Sequence, residues 1–292
     1  MPRTNKMIHV LEQDEIVIFT TTEELDYQSG VEMSKTWADA ILVDFEHDPF
    51  DTIGLKSFMK GISDGFITNN LDFMPSVITT LPSNCMTQEE VLYNSWQVRH
   101  VLGVGVHGVL HTHARTPEAV KTFISTTRYP FNNLGLNQGL NEGLRGSGGQ
   151  DFASKIWQMN TDEYLSKADP WPLNPDGELI LGLKIEDKFC LEMAPEITKI
   201  PGIAFAEWGP GDMGMSFGFP DAHDPPYPKE MDMARDLIKL ECDKNGMAFY
   251  SSWRDPSMSE KDQIKYAIQV VGARIVMVES MELATFARSL KE

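Results

Sequence analysis

LILGLKIED, Leu179 to Asp187, is a run of mostly apolar residues that ends on two carboxylates. Its apolar part reads as a buried strand. Burial would penalise Glu186 unless something cationic sits beside it. A second segment of the same shape, GIAFAEWGPGD, follows about one strand–helix–strand repeat later, with Gly202 to Trp208 as the strand and Asp212 just past its end. Equivalent ends of neighbouring parallel strands converge in space. Hard divalent cations such as Mg²⁺ or Mn²⁺ select that arrangement of oxygens.

The same alternation extends outward in both directions. Before the quoted stretch, the spacing predicts strands over Glu15–Thr20, Ala40–Val43, Met74–Thr80 and Gly108–His113 after a short polar lead. Helix-period segments separate them, among them TQEEVLYNSWQVRHVLGVG, where Thr87 and Glu90 are spaced as a capping box. After it come a helix over Lys188–Thr198, a helix over Pro228–Asn245, a strand over Met247–Ser251, a helix over Ser259–Val271, a strand over Arg274–Val278 and a last helix from Met281. Phe131 to Gly177 shows no regular pattern, and irregular stretches of that length inside a domain are usually functional or mobile. About eight strands alternating with helices predict a parallel sheet closed as a single (β/α)8 TIM barrel over residues 1–292, with a long irregular insertion before strand five. A doubly wound open sheet is the alternative, and no GxGxxG fingerprint follows the first strand to support it. Barrels gather their chemistry at the carboxyl ends of strands, where these acidic and histidine residues fall.

Composition narrows the partners. A chain of 292 residues, 41% of them hydrophobic, can bury a large core, and no Pro- or Gly-rich linker divides it. The formal net charge of −18 argues against nucleic acid and against an anionic membrane surface. Cys85, Cys190 and Cys242 are odd in number, far apart and without metal-ligand spacing, which suits a reduced cytoplasmic compartment. The opening MPRTNKMIHVLEQDE lacks the apolar run of a signal peptide, and no window approaches a membrane span.

Several residues could carry chemistry. Glu186 and Asp212 are candidate metal ligands; equally, Glu186 pairs with Lys184 on the same side of its strand while Asp212 caps a helix. His47, in DFEHDP, is a candidate general base whose tautomer Asp44 or Glu46 would fix. His111 and His113 sit two apart on the predicted fourth strand and are expected to point the same way. Arg145, in LRGSGG, would hold a carboxylate from a loop, or simply be solvated.

Taken in order, ADAILVDFEHDP, TTRYP with GLRGSGG, ASKIWQMNTDEYL, LGLKIED, GPGDMGMSFG and VVGARIVMVES resemble the HpcH/HpaI aldolase family, the metal-dependent 2-keto-acid aldolases of the phosphoenolpyruvate/pyruvate barrel superfamily. The resemblance spans roughly residues 38 to 290. It implies a divalent metal (Mg²⁺, with Mn²⁺ or Co²⁺ as alternatives) on Glu186 and Asp212, and His47 as the base beside the 2-oxo acid, with Asp44 as its neighbour. It implies a substrate-binding set of Lys184, Thr80, Arg145, Trp208, Gly209, Pro210 and Gly211, an aldehyde as second substrate, and a homo-oligomer, hexameric or smaller. Three departures stand out: Thr80 where the family has a carboxylate-gripping arginine, Lys184 where it has a glutamine, and Gly103 where the acidic partner of the base aligns. His113 and Tyr164 match active-site residues of the macrophomate-synthase branch, which decarboxylates oxaloacetate before forming carbon–carbon bonds. The activity implied is that of a metal-dependent carbon–carbon lyase. The alternatives are the decarboxylating branch, a Schiff-base lyase using Lys184, and a metal-binding barrel without turnover.

Overall fold

The structure, a computed structural model, describes residues 3–290. Eight parallel strands follow one another: β1 (Val17–Thr21), β2 (Ala40–Val43), β3 (Ser76–Thr79), β4 (Gly108–His111), β5 (Leu179–Lys184), β6 (Phe205–Trp208), β7 (Ala248–Ser251) and β8 (Ile275–Met277). Each pairs with its chain neighbour, and β8 returns to β1 through Ile18↔Val276, so the sheet closes into a (β/α)8 barrel and is not an open doubly wound sheet. A two-residue strand, Pro170–Trp171, bonds to β5 outside the barrel.

Strand alternation sorts β5 into two faces. Leu179, Leu181 and Leu183 pack against the helices, while Ile180 joins Phe19, Leu42, Leu110 and Phe205 in the barrel interior. Gly182 shares the inner phase, and a Cβ there would lie 2.2 Å from the Phe205 ring, so only glycine admits that ring. Lys184 continues the inner phase at the carboxyl end, in register with Glu207 of β6. Lys184 and Glu207 thus enter the top of the barrel, where Tyr250 also lies in the interior cluster.

Three segments differ from the sequence reading. The polar lead contains a helix, Lys6–Glu12, capped by Asn5, whose Met7, Ile8 and Leu11 join the interior cluster from the amino end of the barrel. The stretch before β5 holds helices Gln150–Ile156 and Thr161–Lys167, each only 7 residues and too short to show periodicity. It is tied down by a fully buried ion pair, with Arg128 donating to Asp169 at 2.7 and 3.2 Å and to the Leu134 carbonyl at 2.7 Å. The helix expected over Ser259–Val271 runs only from Glu260 to Lys265 and widens into a π-turn over Tyr266–Val270. Half of the capping box forms: the Glu90 amide donates to Thr87 Oγ1 at 3.2 Å, while the Glu90 side chain accepts from the Asn84 amide at 3.3 Å. Cys85, Cys190 and Cys242 are buried free thiols, and among the described residues no helix is long and apolar enough to cross a membrane.

Candidate active site

The loop after β2 builds the first half of the site. Asp44 Oδ2 accepts from His47 Nδ1 at 2.8 Å, which fixes the tautomer and leaves Nε2 as the basic nitrogen. Thr80, just past β3, braces this pair. Its hydroxyl donates to Asp44 Oδ1 at 2.8 Å and accepts from the amides of Phe45 and Glu46 at 2.7 and 2.9 Å. Burial works against the charge on Asp44, but hydrogen bonds from His47, Thr80 and the Glu46 amide hold its carboxyl below the usual range. Partial burial likewise disfavours charged His47, yet the Asp44 hydrogen bond and the Glu46 charge raise it above its ordinary value. The acidic partner of His47 is therefore Asp44. Gly103 instead ends the helix Gln88–Gly103 against Gly149 and has no part in the dyad.

The second half lies at the ends of β5 and β6. Glu46, His113, Glu186 and Asp212 each bring a ligand atom within 4.8 Å of the others. Glu186 is 1% exposed and its Oε1 has no hydrogen-bond partner. A Cβ at Gly209 would lie 2.9 Å from Glu186 Oε2, so glycine lets the β6 loop approach that carboxylate. Pro210 then opens the helix Pro210–Phe217, and Asp212 sits in its first turn. Burial, with Glu46, Glu207 and Asp212 nearby, pushes the Glu186 carboxyl up despite Lys184 at 3.6 Å. A buried, unpartnered oxygen in an excess of negative charge is an arrangement that a divalent cation relieves, and the donor set fits one.

Lys184 bonds Glu46 through a short ion pair and faces both Glu186 and Glu207. Burial disfavours its charge, but the three carboxylates outweigh burial and hold the ammonium protonated. A nucleophilic lysine needs the reverse. Glu207 accepts a hydrogen bond from Ser252, and burial raises its carboxyl. The sequence reading names Glu46 only as a neighbour of His47 and does not name Glu207; inward alternation in FAEW, in phase with Lys184, is the signal that points to Glu207.

The histidines of the fourth strand part company. β4 ends at His111, which is buried, packs edge-on against Phe123 at 4.8 Å and is pushed down to about 3 by burial. His113 lies beyond the strand with φ 48°, a left-handed conformation uncommon outside glycine, so it does not follow the strand's alternation. Its Nδ1 meets Asp187 Oδ2 at 2.9 Å. Asp187 also accepts from Arg115 Nε at 2.9 Å and caps the helix Lys188–Ile197, and these bonds hold its carboxyl low although burial opposes them. His113 is thereby anchored with Nε2 available, the usual second-sphere pattern of a metal-binding histidine.

Tyr164 and Arg145 sit elsewhere. Arg145 is 2% exposed rather than solvated, lies 4.6 Å from the Tyr129 ring and donates to the Tyr164 hydroxyl at 2.6 Å. Tyr164 packs on Trp157, whose indole donates to Gly105 and stacks on His107, both before β4 at the amino side of the barrel. Trp208 is outward-facing and edge-on to Tyr227 at 5.4 Å. The hydrogen bonds and ring contacts of these three side chains go to helices and loops, not to the carboxylates of the cluster.

No family model matches the chain. It is 25% identical over 164 residues to a 2-keto-3-deoxy-L-rhamnonate aldolase of Klebsiella pneumoniae, covering 56% of this chain and 54% of the relative. It is 28% identical over 124 residues to that of Salmonella paratyphi B, covering 42% and 40%. The chain thus spans about half the length, or less, of the curated relatives it matches. Among solved structures, an HpcH/HpaI aldolase/citrate lyase family protein of Burkholderia cenocepacia superposes with TM-score 0.70 at 17% identity, over 99% of this chain and 97% of that one. An HpcH/HpaI aldolase of Desulfitobacterium hafniense gives 0.69 at 16% identity, covering 98% and 95%, and macrophomate synthase 0.61 at 15%, covering 94% and 81%. The chain has the barrel fold of the HpcH/HpaI aldolase structures, and its sequence relatives are 2-keto-3-deoxy-L-rhamnonate aldolases.

Proposed function

We propose that this protein is a divalent-metal-dependent carbon–carbon lyase that joins or separates a 2-oxo acid and an aldehyde. The supporting observation is the cluster of Glu46, His113, Glu186 and Asp212, with its unpartnered buried oxygen, beside the His47–Asp44 pair. Glu186 and Asp212 would hold the cation, Mg²⁺ by the hardness of the donors and Mn²⁺ or Co²⁺ as alternatives, with Glu46 and His113 completing the set. A cation held there would supply Lewis-acid polarisation of the 2-oxo acid.

The protein's own groups do the rest. His47, with Nδ1 bound to Asp44, takes the 4-hydroxyl proton at Nε2 during cleavage and returns it during condensation. Thr80 holds that pair in place and cannot grip a carboxylate as an arginine would. Lys184 is a positive group placed to meet the substrate carboxylate, and its contacts with Glu46, Glu186 and Glu207 disfavour a Schiff-base role. The protein acts in the cytoplasm, consistent with three unpaired buried cysteines, and as a homo-oligomer of the kind the resemblance implies. The test is cleavage of 2-oxo-4-hydroxy acids after chelation. Activity lost with EDTA and restored by Mg²⁺ or Mn²⁺ is expected, and undiminished activity without metal sinks the reading.

A further inference from the structure

Where every other pair of adjacent barrel strands zips over two or more aligned residues, β7 and β8 share only Tyr250↔Ile275; β6 and β7 share four such pairs. Past that point the strands part and open a cavity of about 380 Å³ at the carboxyl end of the barrel. This is within the size range of small-molecule sites. Its inner end is formed by Tyr250 and Ser252, and Ser252 hydrogen-bonds Glu207, which is in register with Lys184. None of Lys184, Glu186, Asp212 or His47 lines the cavity, which reaches the proposed site through Ser252 and Glu207.

Its floor is apolar, made by Trp253, Ile264, Ala267, Val276, Val278 and Leu283. Trp253 stacks on Tyr266 at 4.5 Å, and Tyr266 begins the π-turn that carries Ala267. Such turns interrupt helices frequently at functional sites. Charge stays at the rim, where Arg254 and Glu279, 3.9 Å apart, are both more than half exposed. Ser251, Ser252 and Gln263 also line the cavity, but the Ser251 hydroxyl accepts from the Trp253 amide, Ser252 donates to Glu207, and Gln263 is taken up by the Asp255 amide and the Met258 carbonyl. A polyhydroxylated tail on the apolar floor would therefore lose its water for few hydrogen bonds. An aryl or alkyl tail would be matched.

We infer that this cleft between β7 and β8 binds the aldehyde-derived half of the substrate and selects an apolar, aryl or alkyl, group there. The identity of the occupant rests on the lyase reading, whereas the site itself can be tested without turnover. Saturable quenching of tryptophan fluorescence by 4-nitrobenzyl alcohol is expected in the full chain, lost in Trp253→Phe and weakened at least ten-fold in Ala267→Phe, which fills the floor. Absence of a saturable component belonging to Trp253 overturns the site.

Exchange of pyruvate methyl protons with solvent, in the presence of Mg²⁺ or Mn²⁺, tests the lyase reading separately because it needs no aldehyde. Given exchange, wild type should use benzaldehyde with at least ten-fold higher kcat/KM than glycolaldehyde, and Ala267→Phe should reduce that ratio at least ten-fold. Preference for glycolaldehyde in the wild type overturns the selectivity. Binding without exchange rejects the lyase reading, and with it the assignment of the occupant, while leaving an apolar ligand site.

Discussion

Replacing Glu186 with glutamine should separate metal binding from folding. The Glu186 side chain is almost fully buried, Oε1 has no partner, and its charge lies among Glu46, Glu207 and Asp212 with one lysine 3.6 Å away. In the wild type a cation at one hundred times its Kd stabilises the folded state by about 2.7 kcal/mol. With an unfolding entropy of ~2.1 cal/mol/K per residue, 292 residues give roughly 0.6 kcal/mol/K, so the midpoint should rise by about 4 °C. Glu186→Gln keeps the side-chain shape but loses the charged ligand. Its metal-dependent shift should fall below about 1 °C at the same concentration, while its melting temperature in EDTA should equal or exceed that of the wild type because a buried like charge is gone. Differential scanning calorimetry in EDTA, then with Mg²⁺ or Mn²⁺, measures both. A full shift in the variant, or none in the wild type, would refute the assignment of Glu186 as ligand.

Asp44→Asn removes the hydrogen bond and charge that raise His47, so the acid limb of the kcat/KM–pH profile should move to lower pH and the plateau should fall by roughly 10²-fold or more; an unmoved limb would detach Asp44 from the base. Borohydride added with pyruvate should trap no adduct at Lys184, since its carboxylate partners keep it protonated; mass spectrometry showing a modified Lys184 would restore the Schiff-base mechanism. Asp169→Ala strands the fully buried Arg128 and should cost about 3–5 kcal/mol in denaturant unfolding, whereas a loss below ~1 kcal/mol would mean the pair does not anchor the segment before β5.

The order of strands and helices, the shared side of Lys184 and Glu186 and the acidic ends of β5 and β6 follow from local pattern, because strand period and apolar runs are written residue by residue. His47 beside Asp44 is equally local, three positions apart on one loop. What the sequence by itself could not decide was every contact made by closure of the barrel. Glu46 reaches Lys184 across 138 positions, and Ser252 reaches Glu207 across 45. Helices of 7 residues such as Lys6–Glu12 carry too few turns to declare themselves and are stabilised by the surfaces they cover. The two fourth-strand histidines separated because a left-handed backbone at His113, held by Asp187 from 74 residues away, cancels the alternation that the pattern assumes. LILGLKIED therefore determined that a buried strand would deliver Lys184 and Glu186 to one end of the barrel; only the closed barrel decided which carboxylates they would meet there, since those partners arrive from β2 and β6 through long-range packing.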